Sequence, residues 1–564
     1  MKVIIVGGVA GGATAAARIR RLDEHAEITV FERSGYISYA NCGLPYYIGD
    51  VITDPEELTL QTPESFFKRF RINMKIHHEV ISIHTERKTV SVKNLENGEI
   101  FEENYDKLIL SPGAKPTQPR LPGVGMDKLF TLRTVEDTFR IKEYINKNHP
   151  KSAVLAGGGF IGLELAENLR ELGMDVTIVQ RPKQLMNPFD PDMASMIHNE
   201  MRKHGIKLVL GYTVEGFKEK DNGVEVLLKD NPSLQADMVV LAIGVTPDTA
   251  LAKEAGLELG IKGSIVVNDR METSVPDIYA AGDAVQVKHY VTGNDALISL
   301  AGPANKQGRI IADNICGGDS RYLGSQGSSV IKVFDMTAAT TGINETNAKK
   351  SGLEVDTVIL SPMSHAGYYP GGKVMTMKVV FEKETYRLLG AQIIGYEGVD
   401  KRIDVLATAI HAGLKATQLK DLDLAYAPPY SSAKDPVNMA GFMIDNIAKG
   451  TLKQWHLEDM DKISKDKSVV LLDVRTVGEF NRGHMDGFRN IPVDELRERI
   501  NEIEKGKPVY LICQSGLRSY IASRILEGNG YETYNFSGGF RFYDAVVNDR
   551  ALIERAYACG MELI

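Results

Sequence analysis

Four apolar residues at positions 3–6, V-I-I-V, run into G-G-V-A-G-G and then into an alanine-rich stretch with one polar face. This pattern predicts a buried strand, a tight glycine turn and an amphipathic helix. It returns at residues 153–170 as A-V-L-A-G-G-G-F-I-G-L-E-L-A-E-N-L-R. A second short strand follows each copy, at 27–31 and 175–179. Two such βαβ units predict two dinucleotide-binding (Rossmann-like) domains on parallel sheets. From about Val330 the pattern changes. V-M-T-M-K-V-V-F and then R-L-L-G-A-Q-I-I-G predict an antiparallel hairpin with alternating apolar positions. A helix follows around 404–413, in an α+β domain without a nucleotide loop. A short polar stretch near 448–455 predicts a linker. Beyond it S-V-V-L-L-D-V-R and P-V-Y-L-I-C-Q-S-G-L-R-S predict buried strands alternating with helices, a separate small α/β domain.

Composition adds bounds. A chain of 564 residues exceeds what one core holds, so several domains are expected. A net charge of −8 offers no reason for a nucleic acid or an anionic membrane as partner. No run of about 18 uncharged apolar residues occurs, so no transmembrane helix is expected. The N-terminal apolar run is broken by glycines too early for a signal peptide. The four cysteines, Cys42, Cys316, Cys513 and Cys559, are too sparse for a secreted disulfide scaffold. No C-x-x-C pair occurs, which excludes a zinc ribbon, and no metal site is expected. A reducing cytoplasm is the expected compartment, with any reactive cysteine acting alone.

The two glycine loops carry the first chemistry. Gly7, Gly8, Val9, Ala10, Gly11 and Gly12 lie between strand and helix, where free N–H groups and the positive dipole end suit a pyrophosphate. Val9 replaces the usual middle glycine. Glu32, twenty residues past Gly12, is the acid expected on ribose hydroxyls. Gly157, Gly159, Phe160, Ile161 and Gly162 lie in a loop that satisfies G-x-G-x-x-G fully, but Gln180 stands where the acid is expected, with Arg181 and Lys183 beyond it. Glutamine does not repel a 2′-phosphate and arginine can pair with one, so NADPH is expected to be accepted along with NADH. Later, in T-S-V-P-D-I-Y-A-A-G-D-A, Asp283 follows a buried strand and a glycine. Together these motifs resemble the two-dinucleotide-binding flavoprotein disulfide reductases over residues 1–445. The resemblance implies FAD at the Gly7 loop, with Asp283 at its ribityl–phosphate region, and NAD(P)H at the Gly157 loop, with Glu164 near the nicotinamide. It adds Arg33, Val80, Ser111, Gly113 and Gly244 as cofactor-binding positions.

Most members of that family use two cysteines four residues apart. Here S-Y-A-N-C-G-L-P-Y holds Cys42 alone. A lone thiolate must bond to oxygen or to the sulfur of another molecule. NADH peroxidases and oxidases carry a sulfenic acid and a His in the glycine loop, where this chain has Ala10. The segment around Cys42 is similar to that of the coenzyme A disulfide reductases, which hold CoA in a mixed disulfide. The resemblance implies CoA as substrate, with Ser38, Asn41 and Asn305 in its site. A basic patch for the CoA phosphates is expected on the first helix from Arg18, Arg20 and Arg21, with Thr14 a turn earlier, and Arg69 and Arg71 adding to it. Tyr368 in H-A-G-Y-Y-P and Tyr426 in A-Y-A-P-P-Y match tyrosines that reach the active site from a partner subunit, and Lys434 matches a substrate-binding lysine. A homodimer is therefore expected.

The segment L-L-D-V-R-T-V-G-E-F-N-R-G-H and the loop C-Q-S-G-L-R-S resemble a single-domain rhodanese. Cys513 opens a six-residue loop ahead of a helix. Loop N–H groups, the dipole and Arg518 are expected to lower its pKa and to hold an anionic persulfide. Asp473 and Arg475 are expected to brace the loop, and His484 to be structural. Cys316 and Cys559 read as ordinary residues. The whole chain thus resembles the CoA disulfide reductase–rhodanese fusion proteins. The expected domains are FAD-binding at 1–120 and 246–325, NAD(P)H-binding at 121–245, dimerisation at 326–447 and rhodanese at 455–564. The expected activity is NAD(P)H-dependent reduction of CoA disulfide, CoA persulfide or polysulfide through Cys42, coupled to sulfur transfer at Cys513. Alternatives are an NADH oxidase or peroxidase, a sulfur-relay protein that hands a Cys513 persulfide to a partner, and a flavin-binding scaffold.

Overall fold

The computed structural model describes residues 1–221 and 223–558, with the side chains of 556–558 left aside; Cys559 lies outside the described residues. The chain forms two compact units, Met1–Pro182 with Gly205–Gly327, and Lys183–His204 with the chain from Ser328 onward. The segment Lys183–His204 lies in sequence inside the expected nicotinamide domain.

The first unit is built on two parallel five-stranded sheets. In the first, the strand order is Ile278–Ala280, Lys107–Leu110, Lys2–Val6, Glu27–Phe31, Asn73–Lys75. In the second it is Lys207–Leu210, Asp175–Gln180, Ser152–Ala156, Met238–Leu241, Leu129–Thr131. The central strands are apolar along their length because helices cover both faces of such sheets. Lys2–Val6 and Ser152–Ala156 each end at a glycine turn that opens a helix, Ala10–Leu22 and Phe160–Glu171.

The second unit contains an antiparallel sheet in the order Ser329–Val333, Met336–Gly342, Leu388–Gly395, Met375–Glu382, Val355–Leu360. The expected hairpin is present, but it is not half-exposed: Leu388–Gly395 is buried throughout and Met375–Glu382 nearly so. Polar positions inside it are therefore paired. Lys378 donates to Asp192 at 2.8 Å and lies 2.7 Å from Glu345 and 3.2 Å from Asp190. Those carboxylates hold its amine charged, well above the usual lysine range, against the cost of burial. Gln392 donates to Asp190 at 2.6 Å.

The same unit carries a five-stranded parallel sheet in the order Gln454–Trp455, Thr533–Phe536, Val509–Ile512, Val470–Asp473, Arg489–Asn490. Trp455 is buried at its edge, its ring 4.4 Å from that of Phe536. The last helix, Gly539–Ala558, lies on the helix Pro191–Lys203, where buried Asp549 accepts from His198 Nδ1 at 2.8 Å and Arg202 at 2.5 Å.

Candidate active site

The two glycine loops share one construction. A Cβ on Gly7 would lie 2.1 Å from the Ser111 carbonyl oxygen, and one on Gly157 would lie 2.2 Å from that of Ala242. One on Gly12 would lie 1.9 Å from the Gly7 carbonyl oxygen, and one on Gly162 2.2 Å from that of Gly157. Gly7 has φ +98° and Gly157 φ +119°, a region that side chains rarely adopt. Loop and helix are therefore pressed together. Val9 and Gly159 are the residues that cap these helices, and neither helix has a side-chain cap, so its first N–H groups remain for a phosphate. Ala10, Gly11 and Phe160, Ile161 form the first turns.

Each loop is closed by the residue at the end of the next strand. Glu32 accepts from Gly8 N at 2.9 Å and from Ser34 N at 2.9 Å. Gln180 accepts from Gly158 N at 3.0 Å through Oε1, which leaves its amide group directed elsewhere, and Arg181 beside it is exposed. A concavity in front of the first loop is lined by Gly7, Glu32, Arg33, Val80, Pro112 and Leu251. Arg33 pairs with Asp248 at 2.8 Å across it. Asp248 N donates to the Gly113 carbonyl at 3.0 Å, and Gly244 accepts from Thr117 N at 2.9 Å. A glycine cradle that a Cβ would fill, an uncapped helix end and an acid at the end of the next strand are the groups an adenine dinucleotide requires, and the residues fit FAD.

Cys42 lies in the turn Asn41–Gly43, directly before the short helix Leu44–Ile48. That helix packs on Phe160–Glu171: a Cβ on Gly49 would lie 2.0 Å from Asn168 Oδ1. Asn168 in turn donates to the Glu164 carbonyl at 2.7 Å. The cysteine is an exposed residue, yet the protein around its sulfur, with the carboxylates of Glu164 and Asp283, raises its pKa; Arg133 opposes them. Glu164 is pushed up to about 7 by burial and by Glu167, and the Tyr46 hydroxyl bonds to it. Tyr46 is itself raised to about 12 by burial and by Glu164. Arg133 also donates to Asp283 at 2.7 Å. Cys42, Glu164 and Asp283 were expected from the sequence. Tyr46 and Arg133 were not, because their roles depend on distant partners. Ser38, with φ +47°, donates its N–H to the Gly8 carbonyl at 2.9 Å and so ties the Cys42 segment to the first loop.

Arg20 takes no part in the basic patch expected on the first helix. Arg20 is buried and donates to five backbone carbonyls, those of Phe70, Asp23, Glu24, Ala26 and Arg71. It clamps chain turns and faces no ligand. Arg18 donates to Asp313 at 2.8 Å, while Arg21 is exposed. Thr14 and Asn305 are brought together at 2.5 Å. Arg71 ends the helix Pro63–Phe70 in a left-handed conformation, its guanidinium 5.3 Å from the Phe67 ring.

In the second unit, Tyr368 and Tyr426 share a hydrogen bond of 2.6 Å between their hydroxyls. They are 76% and 45% exposed, so the pair is displayed. Buried Arg402 holds both loops from below. It donates to the Ser364 carbonyl at 2.9 Å, Ser431 Oγ at 3.1 Å and Asp435 Oδ2 at 3.0 Å. Lys434 is exposed on the second loop.

Cys513 is buried and its sulfur accepts from Gly516 N at 3.1 Å and Ser519 Oγ at 3.2 Å. Asp473 and Arg475 form a buried pair at 2.7 Å, and Arg475 reaches Gln514 of the loop at 3.5 Å. His484 stacks on Phe480 at 3.9 Å and bonds its carbonyl, a structural role. Arg518 makes two bonds of 2.7 Å to Glu479, a residue the sequence did not single out. Cys316 is half-buried near the end of its helix. Among the described residues no cluster suited to a metal ion occurs, and no helix is long and apolar enough to cross a membrane.

Two glycine loops of one construction, with the Cys42 segment tied to the first and packed on the helix of the second, fit a nicotinamide-linked flavoprotein oxidoreductase, and the chain belongs to the pyridine nucleotide-disulphide oxidoreductase family, which it matches over residues 1–308. The dimerisation domain of that family matches residues 328–436, and a rhodanese-like domain matches 456–545. The chain is 38% identical to the coenzyme A disulfide reductase of Staphylococcus aureus (strain JH9) over 442 residues, 78% of this chain and 99% of the relative. Its structure is similar to that of reduced Bacillus anthracis CoADR-RHD, at 48% identity and a TM-score of 0.95, covering 97% and 98% of the two chains. A NAD-dependent persulfide reductase from A. fulgidus gives 39% identity and a TM-score of 0.90, covering 96% and 100%.

Proposed function

We propose that the chain reduces CoA disulfide and CoA persulfide with NAD(P)H, through a mixed disulfide on Cys42, and that Cys513 handles sulfane sulfur for the same cycle. The observation that carries this is Cys42 itself. No second described cysteine accompanies it, so its disulfide partner must be another molecule. The relatives named for CoA disulfide and persulfide reduction support the choice of substrate.

FAD, bound by the Gly7 loop with Glu32, Arg33, Val80, Ser111 and Gly113, supplies the two-electron exchange between nicotinamide and disulfide. The Gly157 loop would hold NAD(P)H, with Gln180 and Arg181 tolerating a 2′-phosphate and Glu164 serving at the nicotinamide end. Cys42 attacks one sulfur of the CoA disulfide, forming Cys42–S–S–CoA and releasing one CoA thiolate. Tyr368 or Tyr426 of a second copy of the chain protonates that leaving sulfur, and the exposure of the hydrogen-bonded pair supports this role. Two electrons from NAD(P)H then release the second CoA thiol and restore the Cys42 thiolate. With CoA persulfide the products are CoA and sulfide. Thr14, Arg18, Arg21, Ser38, Asn41, Arg71, Asn305 and Lys434 are the residues proposed to bind CoA. The enzyme works as a homodimer in the cytoplasm, where thiols stay reduced.

Anaerobic steady-state kinetics with CoA disulfide, CoA persulfide and inorganic polysulfide, each with NADH and NADPH, test this. CoA-linked acceptors giving the highest kcat/KM support it. Oxygen or peroxide as the better acceptor overturns it.

A further inference from the structure

Two cations at the loop of Cys513, Arg475 and Arg518, are already paired. Arg475 is bound to Asp473 through Nε and Nη2 and lies 3.8 Å from the centre of the Phe540 ring. Arg518 is forked onto Glu479, whose carboxyl it holds down at about 2, so this pair stays charged on both sides at neutral pH. Gln514, Ser515 and Leu517 carry no charge. Arg541, whose N–H donates to the Gln514 carbonyl at 3.2 Å, is exposed, where water screens it. Two apolar side chains are exposed on the helix of Arg518 beside the fork, Ile521 three residues on and Leu517 one turn before Ile521, while Arg482 lies 4.0 Å from where a Cβ on Gly478 would stand.

An inorganic dianion such as thiosulfate finds Arg475 and Arg518 already bound to carboxylates and only the water-screened guanidiniums of Arg482 and Arg541 to replace its water, and it meets the Glu479 carboxylate. A persulfide on an alkyl chain carries at most one charge, and its chain can cover the exposed Leu517 and Ile521 side chains. We propose that Glu479 sets the donor specificity of Cys513, turning away thiosulfate-type dianions and admitting the persulfide of a long alkyl thiol. This rests on reading the Cys513 loop as a sulfur-transfer site, and not on Cys42. In the step proposed, the Cys513 thiolate attacks the terminal sulfur of R–S–SH. The S–S bond of the donor breaks, a Cys513–S–SH bond forms, and R–S⁻ leaves. No electrons are gained or lost overall.

The test uses the full chain, cyanide as acceptor and thiocyanate as readout, with thiosulfate and pantetheine persulfide as the two donors. The wild type is expected to favour the persulfide by about a hundredfold in kcat/KM, the scale of juxtaposing like charges. Glu479→Gln keeps a side chain able to cap the helix at Thr476 and frees Arg518. It is expected to raise kcat/KM for thiosulfate by about tenfold, the scale of one charge-assisted hydrogen bond. The double variant Glu479→Gln/Arg518→Met is expected to lose that gain. Equal use of both donors by the wild type, or an unchanged donor ratio in Glu479→Gln, would overturn the proposal. No thiocyanate from either donor would overturn the sulfur-transfer reading beneath it.

Discussion

Replacing Arg402 by Met tests whether the displayed tyrosine pair depends on a buried ion pair. Methionine keeps most of the volume and removes the charge. The guanidinium of Arg402 meets Asp435 Oδ2 at 3.0 and 3.2 Å, and the carbonyls of Ser364 and Gly398 at 2.9 and 3.1 Å. In the variant Asp435 keeps Ser431 Oγ at 2.7 Å and Val437 N at 2.9 Å, but its buried charge loses its counter-ion. Removing one partner of a buried pair costs about 3–5 kcal/mol. Orphaning the two carbonyls acts in the same direction. The dimerisation domain is therefore expected to unfold at clearly lower urea concentration. Hydrogen exchange gives the local readout. The Ala366 N–H donates to the Ser431 carbonyl at 2.9 Å and joins the two tyrosine loops, so it should lose protection first. CoA disulfide turnover should fall with it. Arg402→Met/Asp435→Asn, which removes both charges, should recover at least about half of the loss. A midpoint moved by less than about 1 kcal/mol, with Ala366 still protected, would refute the assignment of Arg402 as the clamp.

Three further outcomes are expected. Glu164 has its carboxyl raised to about 7, so the stability it contributes is complete below about 4.5 and is lost as pH rises through 7. Glu164→Gln should flatten this fall, at most about 3 kcal/mol in pH-dependent melts, and a slope unchanged between pH 4.5 and 8 would contradict it. Gly49→Ala places a Cβ 2.0 Å from Asn168 Oδ1 and should cost about 1–3 kcal/mol while slowing NAD(P)H-dependent turnover; unaltered melting and rate would show that the helix contact tolerates displacement. Gln180→Glu retains an acceptor for Gly158 N–H and adds a charge facing a 2′-phosphate, so kcat/KM for NADPH should drop about tenfold against NADH, and an unchanged ratio would remove Gln180 from nicotinamide selection.

The parts of the molecule legible in its sequence are those whose signal is local. The glycine loops, Glu32, Gln180, Cys42 and the Cys513 loop each declare themselves within a few dozen residues, since turn, helix and strand end are consecutive. The hairpin was legible as strands but not as doubly covered strands, because alternation cannot report what lies over the second face. Pairs distant in sequence were not legible. Arg402 meets Asp435 at a separation of 33 residues, Arg518 meets Glu479 at 39, and Arg133 meets Asp283 at 150. Arg20 shows the same limit in the opposite sense. Its place beside Arg18 and Arg21 suggests a ligand-facing patch, and only the folded turns around Phe70 and Ala26 reveal that its guanidinium is filled by backbone carbonyls.

The central claim is that Cys42 alternates between a free thiolate and a mixed disulfide with CoA. Intact-protein and peptide mass spectrometry after anaerobic mixing with CoA disulfide tests it most directly. The account predicts one CoA attached at Cys42, released on addition of NADH and absent from Cys42→Ser. CoA found on Cys316 or Cys513 with Cys42 bare, or Cys42 carrying only added oxygen, would contradict it.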